Sequence, residues 1–310
     1  MLIIIQLATL IIAAASLYFS YKDKKVTVFG TALYMLFPYR LYIGFDLKDR
    51  GMSAFYMLLP LVLLFVKKVY SDNRLNDEKK NDSTSGVKRI RKSLLWLIPL
   101  TVVLTAMSFA DTTLFIVFAV VFMVCVLGYK RYWAIPAVAV AGLASIPVNI
   151  NYWRFILLGH QNQYAAESVL IAGKGYYVGN FFMSWIYRED LPGVGFGLLF
   201  SMVLILWYLM NGERKINYKL VIIAVVLSFL SMHLGIWDVA ERIHPVMLRF
   251  ISKMGSPNVL FGMACALLCI PSMQALRKLC DNKITFVSKV IPWFIIAMNV
   301  VSAVHLVVYL

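Results

Sequence analysis

The chain has 310 residues, of which 61% are hydrophobic and 15% are charged, and its formal net charge is +15. Soluble domains carry about 25% charged residues, so this composition excludes an ordinary water-soluble fold. It also argues against nucleic-acid binding, because Lys and Arg lie in short segments between apolar runs, not on one face with a recognisable motif.

The apolar runs predict an all-α integral membrane protein. A membrane-spanning helix needs about 20 mostly apolar residues, and the sequence offers about ten such runs. We therefore predict one polytopic domain over residues 1–310, a bundle of about ten transmembrane helices in contact with a lipid bilayer. The runs cover residues 2–20, 26–45, 52–66, 94–110, 113–127, 133–150, 194–210, 220–236, 258–276 and 290–309.

The charges between the runs predict the orientation. Cytoplasmic loops of membrane proteins carry an excess of Lys and Arg. The segment 67–93 is basic, so we predict a cytoplasmic linker there, whereas 151–192 and 237–257 are nearly balanced in charge and are predicted to be outer loops. The resulting topology is that of a multi-pass protein of the cell membrane with both termini outside.

The second and third runs are joined by a compact charged hinge at residues 46–51. Ionisable groups close to hydrocarbon are costly, which favours a functional role, although any short loop between two helices must be polar. We predict Asp46 and Asp49 as catalytic carboxylates and Arg50 as a substrate-binding residue. Asp111 is a further acidic group predicted on the same outer side.

The second outer loop, 237–257, contains Asp238, Glu241 and Arg249. The two acids are three positions apart and would share one face of a helix. Carboxylates can perform acid/base chemistry and the arginine fork matches phosphate oxygens, so we predict all three as substrate-binding residues. No cofactor follows with certainty from these residues; a divalent metal held by the carboxylates is an open alternative.

The first outer loop, 151–192, is rich in aromatic residues such as Tyr152, Trp153 and Trp185. Aromatic rings favour the headgroup level of a membrane, and they also stack on sugar rings. Both interpretations are open at this point: an interfacial anchor or a carbohydrate platform.

One part of the chain carries a family resemblance. Residues 32–42, ALYMLFPYRLY, are followed by Asp49-Arg50-Gly51 and then by 57–63, MLLPLVL. This order resembles a segment of bacterial polytopic membrane proteins of the GT-C glycosyltransferase type, including YfhO-like proteins and membrane proteins described as 6-pyruvoyl-tetrahydropterin synthase-related. Residues 247–250, MLRF, are similar to a later segment of that group.

The resemblance implies a function. Such proteins transfer a sugar from a lipid-phosphate donor, such as a polyprenyl-phosphate sugar, to an acceptor at the outer membrane face, with an outer-loop carboxylate as base. Arg50 and Arg249 would carry over as phosphate-facing or structural residues. The family places its key carboxylate in a first outer loop after an N-terminal helix, and this chain starts after that point. We therefore also expect a catalytically incomplete member, or one completed by a partner chain that supplies the N-terminal part.

A transporter or flippase for a lipid-linked or anionic solute is the alternative, and a non-catalytic membrane subunit is another. Transporters place polar groups near the middle of the membrane, on broken helices. Arg40 and His305 are the main ionisable residues inside the apolar runs.

Overall fold

The computed structural model describes residues 2–45, 47–77, 83–129, 132–159, 193–212, 216–232, 244–254, 258–281 and 285–309. Within these ranges the regular structure is helical, as expected for an all-α membrane protein. In chain order the helices are α1 (Leu2–Tyr21), α2 (Lys24–Leu36), α3 (Pro38–Phe45), α4 (Arg50–Asp77), α5 (Ser83–Ala110), α6 (Thr112–Gly128), α7 (Ile135–Val148), α8 (Ile150–Leu158), α9 (Phe196–Met210), α10 (Tyr218–Leu230), α11 (Pro245–Met254), α12 (Asn258–Asp281) and α13 (Thr285–Tyr309), with a 3-10 turn at Tyr132–Ala134.

Each predicted apolar run overlaps a helix. Of the helical stretches in the described ranges, 3 are long and apolar enough to cross a membrane by themselves: Ile3–Tyr21, Arg50–Val69 and Asn258–Asp281. The number rises to 5 if the pairs α2 with α3 and α7 with α8 each count as one span. A membrane protein is therefore supported, and the ten-span bundle stays a prediction.

The predicted linker at 67–93 is entered by helices from both sides. Helix α4 continues to Asp77 and α5 begins at Ser83, well before the apolar run at 94–110. Lys, Arg and Glu are good helix formers, so a charged extension can stay helical beyond an apolar segment.

The predicted second run, 26–45, is two helices. Helix α2 ends at Leu36, Pro38 begins α3, and the two axes differ by 50°. Proline lacks an N–H group and disfavours helical backbone at the residue before it, which is Phe37. The break leaves carbonyl groups at the end of α2 that need other partners.

The described residues cluster into two compact units. Unit 1 comprises Met1–Asp23 and Arg50–Ile150. In it α4 lies against α1 and α5, and α5 lies against α6 and α7. A polar link joins α5 and α7, because the Asn149 amide donates to the Ser108 carbonyl at 3.4 Å.

Unit 2 comprises Lys24–Asp49 and Asn151–Leu310, and α12 is its central helix. Helices α2, α3, α9, α10 and α13 all pack against α12. Small residues such as Gly262, Ala264 and Cys265 are buried along it, which lets neighbouring backbones approach closely. Accordingly 83% of the α12 span is buried, against 22% for α1 and 33% for α4.

Helices α9 and α13 of unit 2 approach each other at a glycine. A Cβ atom added to Gly197 would lie only 2.7 Å from Oδ1 of Asn299 and would also meet the Cβ of that residue. A Cβ atom added to Gly195, which precedes α9 and has φ 82°, would likewise lie 2.7 Å from Cγ of Pro38. Any larger side chain at Gly197 must push the two helices apart.

The substitution Gly197→Ala tests this packing. We expect it to destabilise the protein by about 1–3 kcal/mol, the usual cost of overpacking, and to lower the thermal unfolding midpoint in detergent. The matched control is Gly142→Ala on α7, where an added Cβ meets nothing within 4 Å. There the better helix propensity of alanine should leave the midpoint unchanged or raise it. Equal midpoints for the two variants would contradict the close approach of α9 and α13.

Candidate functional site

The charged hinge is tied to the end of α3 by its backbone. The Leu47 N–H donates to the Tyr42 carbonyl at 3.1 Å, and the Asp49 N–H donates to the Ile43 carbonyl at 3.2 Å. Lys48 lies between them with φ 51°, a left-handed conformation that costs a non-glycine residue about 1–2 kcal/mol. Residues 47–49 of the hinge therefore have a defined backbone.

The predicted hinge residues have different environments. Asp49 is half-buried at the end of its unit 2 segment, and Arg50 is exposed as the first residue of α4 in unit 1. Asp46 lies outside the described residues.

Asp111 has a structural task. Its carboxylate accepts a hydrogen bond from the Leu114 N–H at 2.8 Å and caps the N-terminus of α6. An acidic cap satisfies a helix N–H group and complements the helix dipole. The aspartate therefore stabilises a helix end.

Arg249 is buried on α11 and binds the end of another helix. Its Nη1 donates to the Gly159 carbonyl at 2.7 Å and to the Phe155 carbonyl at 3.5 Å. The Gly159 carbonyl follows the last turn of α8, where helix geometry provides no N–H partner. The Phe155 carbonyl, in that last turn, also accepts a hydrogen bond from the Gly159 N–H at 3.1 Å. The guanidinium thus caps α8, and its positive charge complements the negative end of that helix.

Two further contacts hold α8 and α11 together. Gly159 lies so close to Arg249 that an added Cβ would be 3.2 Å from the arginine Cδ. Lys253, one turn later on α11, places its Nζ 4.6 Å from the centre of the Phe155 ring, in cation–π range. Phe155 on α8 and Gly159 directly after it therefore each lie against one of the two cations on α11.

This contact joins the two predicted outer loops. Helix α8 forms the start of the loop at 151–192, and α11 lies in the loop at 237–257. Their approach brings together segments about 90 residues apart in the chain. Asp238 and Glu241, predicted to bind substrate, lie in 233–243, outside the described residues, so their positions stay predictions.

The exposed face of α8 carries apolar and cationic groups together. Leu157 is 58% and Leu158 is 76% exposed, and Arg154 is exposed on the same helix. Exposed apolar groups beside a cation suit the membrane surface, where the apolar side chains enter the bilayer and a long cationic side chain extends to the headgroups. The start of the first outer loop thus favours the interfacial anchor over the carbohydrate platform.

Arg40 repeats the arrangement of Arg249 inside unit 2. It is 3% exposed, and its Nε and Nη2 donate to the Met35 carbonyl at 3.2 and 2.6 Å. Met35 belongs to the last turn of α2, so Arg40 caps the helix end that the break at Phe37 creates. The sequence marked Arg40 as an unusual charge in an apolar run, but gave no reason for it.

Asn299 is the polar residue that sequence reasoning missed. It lies at 0% exposure on α13, beside Gly197. The only signal for it in the sequence is one amide within the apolar run PWFIIAMNVVSAV.

The described residues contain no group of three or more His, Cys, Asp or Glu side chains that could hold a metal ion. Comparison with models of protein families, with curated proteins and with solved structures finds no match for this chain.

The substitution Arg249→Ala tests the clamp between α8 and α11. It removes two charged hydrogen bonds to partly buried carbonyls, and we expect a loss of about 1.5–3 kcal/mol in the free energy of unfolding, measured in detergent. The control is Arg277→Ala, whose exposed partner Asp281 lies 3.6 Å away. An exposed ion pair contributes about 0–1 kcal/mol, so the control should change little. Similar losses for both variants would show that Arg249 does not fix the two helices.

Proposed function

We propose that this chain is a multi-pass membrane protein of the GT-C glycosyltransferase type that acts on a lipid-phosphate-linked sugar at the outer membrane face. The observation that supports this best is the clamp between α8 and α11. It links both predicted outer loops through residues that also suit an anionic lipid substrate at the membrane surface.

The clamp supplies positive charge at its exposed surface. Arg154 on α8 and Lys253 on α11 are both exposed, on helices held together by Arg249. Cations at the headgroup level attract phosphate, and apolar side chains such as Leu158 suit the lipid tail of the donor. We therefore assign the surface formed by α8 and α11 to the binding of the lipid-phosphate group.

The proposed reaction needs one base and one stabilised leaving group. A carboxylate removes the proton of the acceptor hydroxyl while the hydroxyl oxygen bonds to the anomeric carbon of the donor. The bond between that carbon and the phosphate oxygen breaks, and the lipid phosphate leaves with the electron pair. Nearby cations stabilise the charge that develops on this phosphate.

The predicted residues divide into four roles. Asp46 and Asp49 are proposed for the base, Asp238 and Glu241 for holding the sugar, and exposed Arg50 for contacting phosphate. Arg249 is proposed as a positioning residue, because at least one arm of its guanidinium is engaged with the α8 carbonyls.

Contacts in unit 2 support the proposed topology. Lys25 at the start of α2 forms an ion pair of 3.0 Å with Asp281 at the end of α12. Lys278 lies 5.2 Å from the ring of Tyr208, near the end of α9. These three helix ends adjoin segments that the charge pattern predicts to be cytoplasmic.

Unit 1 supports the same topology by itself. The Lys67 Nζ lies 3.3 Å from the centre of the Tyr21 ring, at the end of α1. Lys68 lies 5.9 Å from the ring of Trp96 on α5. All of these residues lie at predicted cytoplasmic ends, so we propose basic loops inside and the hinge and both larger loops outside.

A transporter for an anionic solute is the second candidate. It is favoured by the bent pair α2 and α3, with a break inside an apolar run and buried Arg40 just beyond it. Broken helices and buried charge are typical of transporter binding sites.

The glycosyltransferase proposal is tested with the full chain in sealed right-side-out vesicles that receive labelled polyprenyl-phosphate sugars from outside. We expect transfer by the wild type. In the double variant Asp46→Asn, Asp49→Asn, transfer should fall by about 10²–10⁴-fold, the usual contribution of a general base. The double variant Asp238→Asn, Glu241→Gln should raise the donor concentration needed for half-maximal transfer, and Asp49→Ala, Arg50→Ala should also lose transfer.

The matched control is Asp281→Asn, which removes an exposed carboxylate at a predicted cytoplasmic end. It should keep wild-type transfer. If the wild type transfers sugar from none of the donors, the glycosyltransferase proposal is contradicted. The transporter and the non-catalytic subunit then remain as the candidate functions. Donor uptake into the vesicles would then select the transporter, and donor binding without uptake would select the subunit.

A further inference from the structure

Asn299 is a buried amide whose hydrogen-bonding groups are all unused. Both Oδ1 and Nδ2 lack a hydrogen-bond partner among the described residues, and the side chain is 0% exposed. A buried polar group without a partner is strongly unfavourable, so such groups are normally paired with protein, water or a ligand. The amide therefore requires a partner that the described part of the chain does not supply.

The amide lies at the N-terminal end of α9. Gly197 belongs to the first turn of this helix, and its missing side chain lets Asn299 reach the backbone there. Gly195 caps the helix without any side-chain hydrogen bond. The Phe196 N–H donates to the Ser302 hydroxyl at 2.9 Å, but the N–H groups of Gly197 and Leu198 have no intrahelical acceptor by geometry.

The backbone at this turn favours a negative charge, because the N-terminus of a helix carries a partial positive charge. Among the described residues the buried charged side chains are Arg40 and Arg249, and no Asp or Glu is buried.

We propose that Asn299 and the first turn of α9 form a buried binding site for a small inorganic anion. The ligand accepts hydrogen bonds from the N–H groups of Gly197 and Leu198 and from Nδ2 of Asn299. A half-turn of the amide about χ2 brings Nδ2 to the side on which Oδ1 faces Gly197. Helix N-termini with glycine backbone bind anions in this way, because the N–H groups and the dipole act together.

An anion explains the pattern better than a structural role alone. A dry contact between two helices would be served by an apolar side chain at 299, which needs no partner. The two buried arginines cap the C-terminal ends of α2 and α8, so each of these two negative helix ends is paired with a cation. The α9 N-terminus is a positive helix end that the anion would complement in the same manner. This proposed anion site does not depend on the glycosyltransferase proposal.

The test uses the purified full chain in detergent, with sodium held constant while chloride or inorganic phosphate replaces gluconate. We expect the wild-type unfolding midpoint to rise with the logarithm of the anion concentration once the site is mostly occupied, by about 3 °C or more in total. A response to chloride alone assigns a monatomic anion, and one to phosphate assigns an oxyanion. Asn299→Asp, which places a negative charge in the site, and the apolar Asn299→Leu should both lose the response.

The matched control is Ser272→Ala, which removes another fully buried side-chain oxygen, on α12, that lacks a partner among the described residues. It should keep the wild-type response. The proposal is overturned if the wild type does not respond, or if Asn299→Leu responds as strongly as the wild type. Should either Asn299 variant fail to fold, the wild-type titration and the remaining variant still decide the question.

Discussion

Helix ends placed inside an apolar environment must find partners for their backbone groups, and much of the described structure depends on this constraint. The break before Pro38 frees carbonyl groups at the end of α2, and buried Arg40 donates hydrogen bonds to one of them, that of Met35. Arg249 donates in the same way to the Gly159 carbonyl at the end of α8. Because water is scarce in such places, an arginine with several donors is an effective substitute for it. The buried charges are thus explained by backbone chemistry before any function is considered.

The same constraint brings together the two predicted outer loops. The arginine that caps α8 lies on α11, so satisfying one helix end also joins two segments that are distant in sequence. The proposed substrate surface depends on this contact, with Lys253 and Arg154 exposed near it. In the proposed function Arg249 acts through position, since it orients the helices that carry the exposed cations.

The features that follow from local composition could be predicted from the sequence. The contacts between residues distant in the chain could not. Apolar runs gave the helices, because length and hydropathy are local properties. The break at Phe37 coincides with the Phe-Pro pair, but residues 26–45 were predicted as one apolar run. Asp111 was predicted as an acidic group on the outer side, and only its geometry revealed a helix cap. Asn299 stood out in no motif, and the partners of Arg40 and Arg249 could not be read from spacing.

The central claim is that Arg249 holds α8 and α11 in one fixed arrangement. Pulsed electron paramagnetic resonance can test it with spin labels at Arg154→Cys and Met247→Cys, both exposed positions, in a background without the four native cysteines. The account predicts a single narrow distance distribution that becomes broad when Arg249→Ala is added. A distribution that is broad from the start, or that stays unchanged in the Arg249→Ala background, would contradict it.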